Sequence, residues 1–477
     1  MKIFRSPLFI VWVVLAGGAF NVDAQTETNL HFFVGSPNDG LNPDAGLVQG
    51  SDGNFYGTAS GGGTSNLGTV FRISPGGSYT DLYSFVGPPN DGATPVAGLV
   101  QGSDGNLYGT TKEGGTDYGG TVFRISRSGA YTNLYSFGTS TLYDGLSPQA
   151  GLVQGSDGNF YGTTATGGVN FNGTVFRISP GGSETNLYSF VGPPNDGNSP
   201  VAGLVQGRDG NFYGTASAGG ASANCPSGCG TVFRISPSGS YTNLYSLDGS
   251  PNDGSVPVAG LVQGSDGYFY GTTEEGGTDY AGTVFRISPG GSETKLYSFT
   301  GAMIDGYSPE ARLVQGSDGN FYGTAFGGGT NNLGIVFRIS PGGNYTNLYP
   351  FAGYPNDGSR PVAGLVQGSD GYFYGTTQNG GTNDNGTVFK FSVPLSPPPW
   401  PINQITGVQK SGTNIVLTIP SIAGETYQLQ FGGSMKPTNW VNVSGGSVTN
   451  GPGALLTLTN FGGASQPQGF YRFDVTP

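Results

Sequence analysis

The sequence contains one histidine, His31, and two cysteines. His31 stands where the other copies of a repeat carry Tyr, so it reads as structural. Without a second His, neither a Ser-His-Asp nor a Cys-His arrangement can be built. Cys225 and Cys229 lie in Asn-Cys-Pro-Ser-Gly-Cys, which is not a CxxC redox motif. Two sulfurs with no nearby His are too few for a structural zinc site. Charge is also scarce: charged residues make up 10% of the chain, with 18 Lys and Arg against 30 Asp and Glu, for a net charge of -12. An acidic chain without a basic stripe is a poor partner for nucleic acid. Beyond the N-terminus no apolar run approaches the ~20 residues of a membrane-spanning helix. Few segments show helical spacing.

Glycine, by contrast, is abundant, at 90 of 477 residues, with 32 prolines and 12% aromatics. Without a period this would suggest disorder. Here there is one. Gly-Leu-Val-Gln-Gly begins at Gly46, Gly98, Gly151, Gly203, Gly260 and Gly364, and as Arg-Leu-Val-Gln-Gly at Arg312. Periods near 50 residues point to solenoids or propellers. Each copy reads as four strands. Strand a is PVAGLVQG, and a Ser-Asp-Gly turn leads to strand b, FYGTT. A Gly-Gly loop leads to strand c, GTVFRIS, and a Pro-Gly-Gly turn to strand d, YTNLYSF. A Pro-Asn-Asp-Gly loop then returns to the next strand a. Small residues in strand a and large ones in strand d suit blades wedged around an axis.

The phase of the repeat predicts a closed ring. The first strand-like segment, Glu27 to Phe33, is a strand d without its own a, b and c. The seventh copy stops after strand c at Ser392. Pairing the two ends makes seven whole blades and removes free sheet edges. The expectation is an all-β seven-bladed propeller over 25–393, closed by its N-terminal strand.

The unit GLVQGSDGNFYGT…GGT…GTVFRIS…LYSF resembles the GloVer tandem repeat of secreted bacterial proteins, over about Glu27 to Val393. That family has no established reaction, so the resemblance implies a fold and an exported location but no catalytic residues. Lys2 and Arg5 before the apolar run Phe9–Leu15, then Val22-Asp23-Ala24, fit a signal peptide over 1–24 cleaved after Ala24. Residues 394–401, Pro-rich, read as a stiff linker. Residues 402–477 read as a small β-sandwich, with strands expected at 414–419, 427–431, 440–443, 455–459 and 470–475.

The b–c and d–a loops share one face and carry every length change, so a functional site is expected there. Seven aspartates recur in the d–a loops: Asp39, Asp91, Asp144, Asp196, Asp253, Asp305 and Asp357. They are turn-formers before Gly or, if they ring the axial mouth, ligands for Ca²⁺ or a cation. A second row, from Asp52 to Asp370, sits in the Ser-Asp-Gly turns and reads as turn chemistry. The row Arg72 to Lys390 in strand c is expected to pair with Asp. Tyr118, Tyr280 and Tyr354 are candidates for stacking on sugars or for loop packing. Glu113, Glu274 and Glu275 break the repeat and read as solvated loop charges or as paired carboxylates. Cys225 and Cys229 are expected to form a local disulfide in an exported protein. These observations favour a secreted, non-catalytic binding or scaffold protein that engages an extracellular glycan. A polysaccharide-cleaving enzyme and a purely structural surface protein are the alternatives.

Overall fold

The structure, a computed structural model, describes residues 27–138, 144–301 and 305–393, together with the backbone of six strands between 407 and 476. The proposed signal peptide and the Pro-rich linker lie outside the described residues. Two units are separate: Gln25–Val393, and a second that includes Pro394–Pro477.

Gln25–Val393 is a seven-bladed propeller, with seven four-stranded antiparallel sheets. In the first blade, strands a to d are Val48–Gln49, Phe55–Ala59, Thr69–Ile73 and Tyr79–Ser84. Strand b is fully buried in every blade because each sheet is covered on both faces by its neighbours. The last sheet takes its outer strand from the N-terminus. Glu27–Phe32 pairs antiparallel with Thr387–Phe391, with Glu27 opposite Phe391 and Phe32 opposite Thr387.

Strand a is shorter than the sequence suggests, with only a Val-Gln pair in the ladder. Its first half turns toward the neighbouring blades. The strand b threonine donates to the alanine carbonyl of the next strand a, from Thr58 to Ala97 (2.9 Å) round to Thr376 to Ala45 (2.9 Å). The strand a glutamine accepts from the turn of the preceding blade, as in Ser51 N to Gln101 Oε1 and, at closure, Ser369 N to Gln49 Oε1, both 2.9 Å. Glycine fills this axial register in six of the seven blades, where a side chain would crowd the neighbouring backbone. A Cβ on Gly98 would lie 3.0 Å from the Gly46 carbonyl, and one on Gly46 would lie 2.9 Å from that of Gly364. This ring of contacts makes strand a the innermost strand. Farther out, strand b aromatics stack between blades, with Tyr108 on Phe160 and, across the closure, Tyr374 on Phe55, each 4.0 Å between centroids. Such pairs add about 0.5–1.5 kcal/mol each beyond area burial. The repeated motif is therefore largely a set of interblade contacts.

The loop face carries a feature the sequence did not announce. Seven two-stranded ladders join each d–a loop to the b–c loop of the blade it enters, such as Gly92–Ala93 with Glu113–Gly114. In the second unit, Gly407–Ser411, Asn414–Pro420 and Leu455–Asn460 form one three-stranded sheet. Val441–Thr449, Thr426–Gly432 and Phe470–Thr476 form another. Gly407–Ser411 was not expected from the sequence.

Candidate binding face

The Ser-Asp-Gly turns occupy the uniform face. Asp52 Oδ1 accepts from the Asn54 amide (3.2 Å), and its Oδ2 accepts from the Tyr56 hydroxyl (2.8 Å). The equivalent Tyr-to-Asp bonds span 2.6–2.9 Å in all seven blades. The strand c cations are half-buried beside these turns. Where the turn carries Tyr, the cation meets a ring: Arg286 lies 5.0 Å from the Tyr268 centroid and Lys390 4.9 Å from that of Tyr372. These two cations meet rings where Asp pairing was expected, because Tyr268 and Tyr372 replace the turn Asn of the other blades and lay their rings beside the cation.

The d–a aspartates are placed next to the outer strand and not at the axial mouth. Asp39, Asp91, Asp144, Asp196, Asp253, Asp305 and Asp357 are 3–8% exposed. One oxygen of each accepts from the amide of the following glycine, at 2.6–2.8 Å. The other accepts from an amide at the start of its loop, at 2.6–2.9 Å. It also accepts from a strand d hydroxyl, such as Tyr83 to Asp91 at 2.9 Å. These charge-assisted bonds hold each loop closed. Among the described residues, no three His, Cys, Asp or Glu side chains cluster so as to hold a metal ion.

His31 fills the tyrosine role at the closure. Its Nε2 lies 2.9 Å from Asp39 Oδ2, and its ring stacks on Tyr79 at 3.8 Å. Tyr83 stacks on Tyr131 in the same way, at 4.1 Å. At three junctions a glutamate replaces the stacking tyrosine: Glu27, Glu184 and Glu293. Burial, then the charge of Asp357, pushes Glu27 up to about 8. Burial, then Asp144 or Asp253, pushes Glu184 and Glu293 up to about 7.

The b–c loop tips divide the ring. At one equivalent position the backbone φ is left-handed in six blades: Asn66, Tyr118, Phe171, Tyr280, Asn332 and Asp384, at 56–63°. Asn and Asp tolerate this region; other residues do so at a cost of about 1 kcal/mol or more. Asn66, Asn332 and Asp384 use their side chains to cap the loop, accepting from the amides of Gly62, Gly328 and Gly380 at 3.0, 3.1 and 2.8 Å. In the second, third and fifth blades an aromatic takes that place without a cap and points to solvent. Tyr118 is 72% exposed, Phe171 64% and Tyr280 74%. Val169 and Val191 are also exposed in the third blade. The fourth blade, between these, carries the enlarged loop with the Cys225–Cys229 disulfide (S–S 2.01 Å). Aromatic tips and disulfide thus occupy one arc, blades two to five, and the capped tips occupy the rest. Tyr354 is exposed in the d–a loop entering the seventh blade. Phe171 escaped the sequence reading, although its register with Tyr118 was visible in Val-Asn-Phe-Asn-Gly.

Nearer the axis, Glu310 and Asp44 begin strands a and Glu274 follows a strand b. Burial, then Glu274 and Asp44, pushes Glu310 up to about 7. Asp44 Oδ1 accepts from Gln378 Nε2 at 2.8 Å, while burial raises its carboxyl. Arg312 takes the axial position held by Gly in the other blades and is exposed to solvent. The signal for all these residues was a departure from the repeat at fixed register. Glu113 and Glu275 lie at the outer ladders, exposed.

Solved structures share the fold. The extracellular domains of two hybrid two-component systems of B. thetaiotaomicron align with TM-scores of 0.50, at 11% and 13% identity, over 91% and 88% of this chain and 53% of each of theirs. The chain thus spans about half the length of those neighbours. A lectin of Burkholderia pseudomallei aligns over 74% of this chain and 97% of its own, at 11% identity and a TM-score of 0.47. At these identities the likeness concerns the fold alone. No curated protein matches the chain. No helix among the described residues is long and apolar enough to cross a membrane. The Gloeobacter/Verrucomicrobia repeat profile matches residues 14–226 and 221–396. With the seven-bladed ring closed by its own first strand, this match settles the family: the chain belongs to the Gloeobacter/Verrucomicrobia repeat proteins.

Proposed function

We propose that the protein is an exported, non-catalytic binding propeller that recognises an extracellular glycan through the b–c and d–a loop face. The observation that carries this reading is the set of uncapped aromatic tips, Tyr118, Phe171 and Tyr280, held in left-handed backbone and exposed to solvent. A tip selected for stability alone would carry the Asn or Asp found in three other blades. Exposed rings offer flat apolar faces to the C–H faces of sugars, and polar loop residues offer hydrogen bonds. The loop aspartates serve by holding these loops in place. The disulfide and the N-terminal segment support an oxidising, exported location, and the second unit, read as a small β-sandwich, is an accessory module. Screening the protein against a panel of polysaccharides tests the proposal. Retention by at least one, lost on replacing Tyr118 and Tyr280 by Ala, is expected; no retention by any contradicts it.

A second reading rests on Glu310. Burial and the charges of Glu274 and Asp44 raise its carboxyl to about 7, and glycoside cleavage uses an acid of raised pKa together with a second carboxylate. Release of new sugar ends, abolished by Glu310→Gln, would establish it, and unchanged chain length would exclude it.

A further inference from the structure

Two of the aromatic tips share a local sequence that no other blade has. Glu113-Gly114-Gly115-Thr116-Asp117-Tyr118 and Glu275-Gly276-Gly277-Thr278-Asp279-Tyr280 are identical. They also share geometry. Glu113 pairs with Ala93 and Glu275 with Ser255 in the outer ladders. Tyr118 and Tyr280 have φ of 63° and 60°. Glu113, Asp117, Glu275 and Asp279 are exposed, as are both rings. The ion pairs of the described residues involve other side chains. Each loop therefore presents a flat ring with two carboxylates one and five residues before it. The third aromatic tip differs: Phe171 follows Asn170 and has only Val169 and Val191 as exposed large apolar company.

We propose that the loops Glu113–Tyr118 and Glu275–Tyr280 are twin subsites for a saccharide bearing free amino groups. The inference rests on the glycan reading above and names its chemical class. The rings stack on pyranose C–H faces and attract a neighbouring ammonium through their π-faces. The carboxylates meet that ammonium with complementary charge. A uronate or sulfated polymer meets like charge at both loops and a net charge of -12 over the chain. The twins differ in the residue just before them, Lys112 in the second blade and Glu274 in the fifth, and in the residue just after, Gly119 and Ala281. The fifth-blade loop therefore carries the stronger amine preference.

The test is calorimetric titration of the full chain at low salt with four probes: a glucosamine oligomer, its fully N-acetylated counterpart, a uronic acid oligomer and polylysine. The expected result is binding of the glucosamine oligomer at least tenfold tighter than the acetylated one, with no uronate binding. Replacing Glu113 and Glu275 by Gln and Asp117 and Asp279 by Asn should remove the preference and keep the melting temperature. Replacing both tyrosines by Ala should remove binding. Equal affinity for the two glucosamine oligomers overturns the inference and leaves the glycan reading intact. Binding of polylysine in place of saccharide overturns the class, and no binding of either glucosamine oligomer overturns the inference, while the polysaccharide panel decides the glycan reading by itself.

Discussion

Replacing Glu27 by Gln raises the stability of the ring at about pH 8 and leaves it unchanged near pH 4.5. Glu27 begins the N-terminal strand that closes the propeller, and its Oε1 is buried without a donor. Burial, then the Asp357 charge, lifts its pKa from 4.5 to about 8. Between those values the folded ring holds a proton that the unfolded chain releases. The protonated form's stability is complete below pH 4.5 and is lost as pH rises toward 8. At about 1.4 kcal/mol per factor of ten in proton affinity, the upper bound is roughly 5 kcal/mol. Glu27 is only half-buried, and solvent screening brings the expected effect to about 1–3 kcal/mol. Gln keeps the shape and removes the ionisable group. Thermal melts across this range should show a native curve that falls with pH and a Glu27→Gln curve that is flatter. The melting temperatures should differ by about 2–4 °C at the alkaline end. Parallel curves would refute the reasoning. In the loop that follows this strand the linkage has the opposite sign. Burial opposes it, but bonds from His31 and the Val34 amide hold Asp39 below its ordinary range. That contribution is present above pH 3.8 and lost on further acidification.

Two further substitutions probe the loop face. Asp91→Asn places an amide among three donors in a buried position and should destabilise the ring by about 1–3 kcal/mol, read as a lower melting temperature; an unchanged melt would mean the loop bonds are dispensable. Cys225→Ser opens a short covalent loop, so about 1–2 kcal/mol of local stabilisation should go. Hydrogen exchange should quicken at residues 222–229 and stay unchanged in the blade strands; quickening throughout the ring would contradict a local role.

The ring was legible because its evidence is a matter of phase: a strand d at Glu27 and none after Ser392. Strand identity followed from alternating turn signals, as at Ser-Asp-Gly. Placement within a blade was less legible. The d–a aspartates fall close to strand a in sequence, which suggested the axis. Their partners are strand d hydroxyls such as Tyr83, eight residues earlier, and only the folded loop brings these together. The same limit applies to Asp44, Glu274 and Glu310, which meet across blades far apart in the chain. Arg312 was visible only as a missing glycine until the contacts of Gly46, Gly98 and Gly364 showed what that glycine does. At the loop tips, the sequence singled out Tyr118 and Tyr280 by their chemistry. It did not show that Asn66, Asn332 and Asp384 occupy the same left-handed position, which is what makes Phe171 their counterpart.

The central claim is that the aromatic tips are kept for binding at a cost in stability. Replacing Tyr118, Phe171 and Tyr280 together by Asn tests it, because Asn at this position caps the loop, as Asn66 and Asn332 do. The account predicts a variant that melts higher than the native chain, with a gain of about 1 kcal/mol per tip, and no longer binds glycan. A variant that melts lower, or that binds glycan as the native chain does, would contradict it.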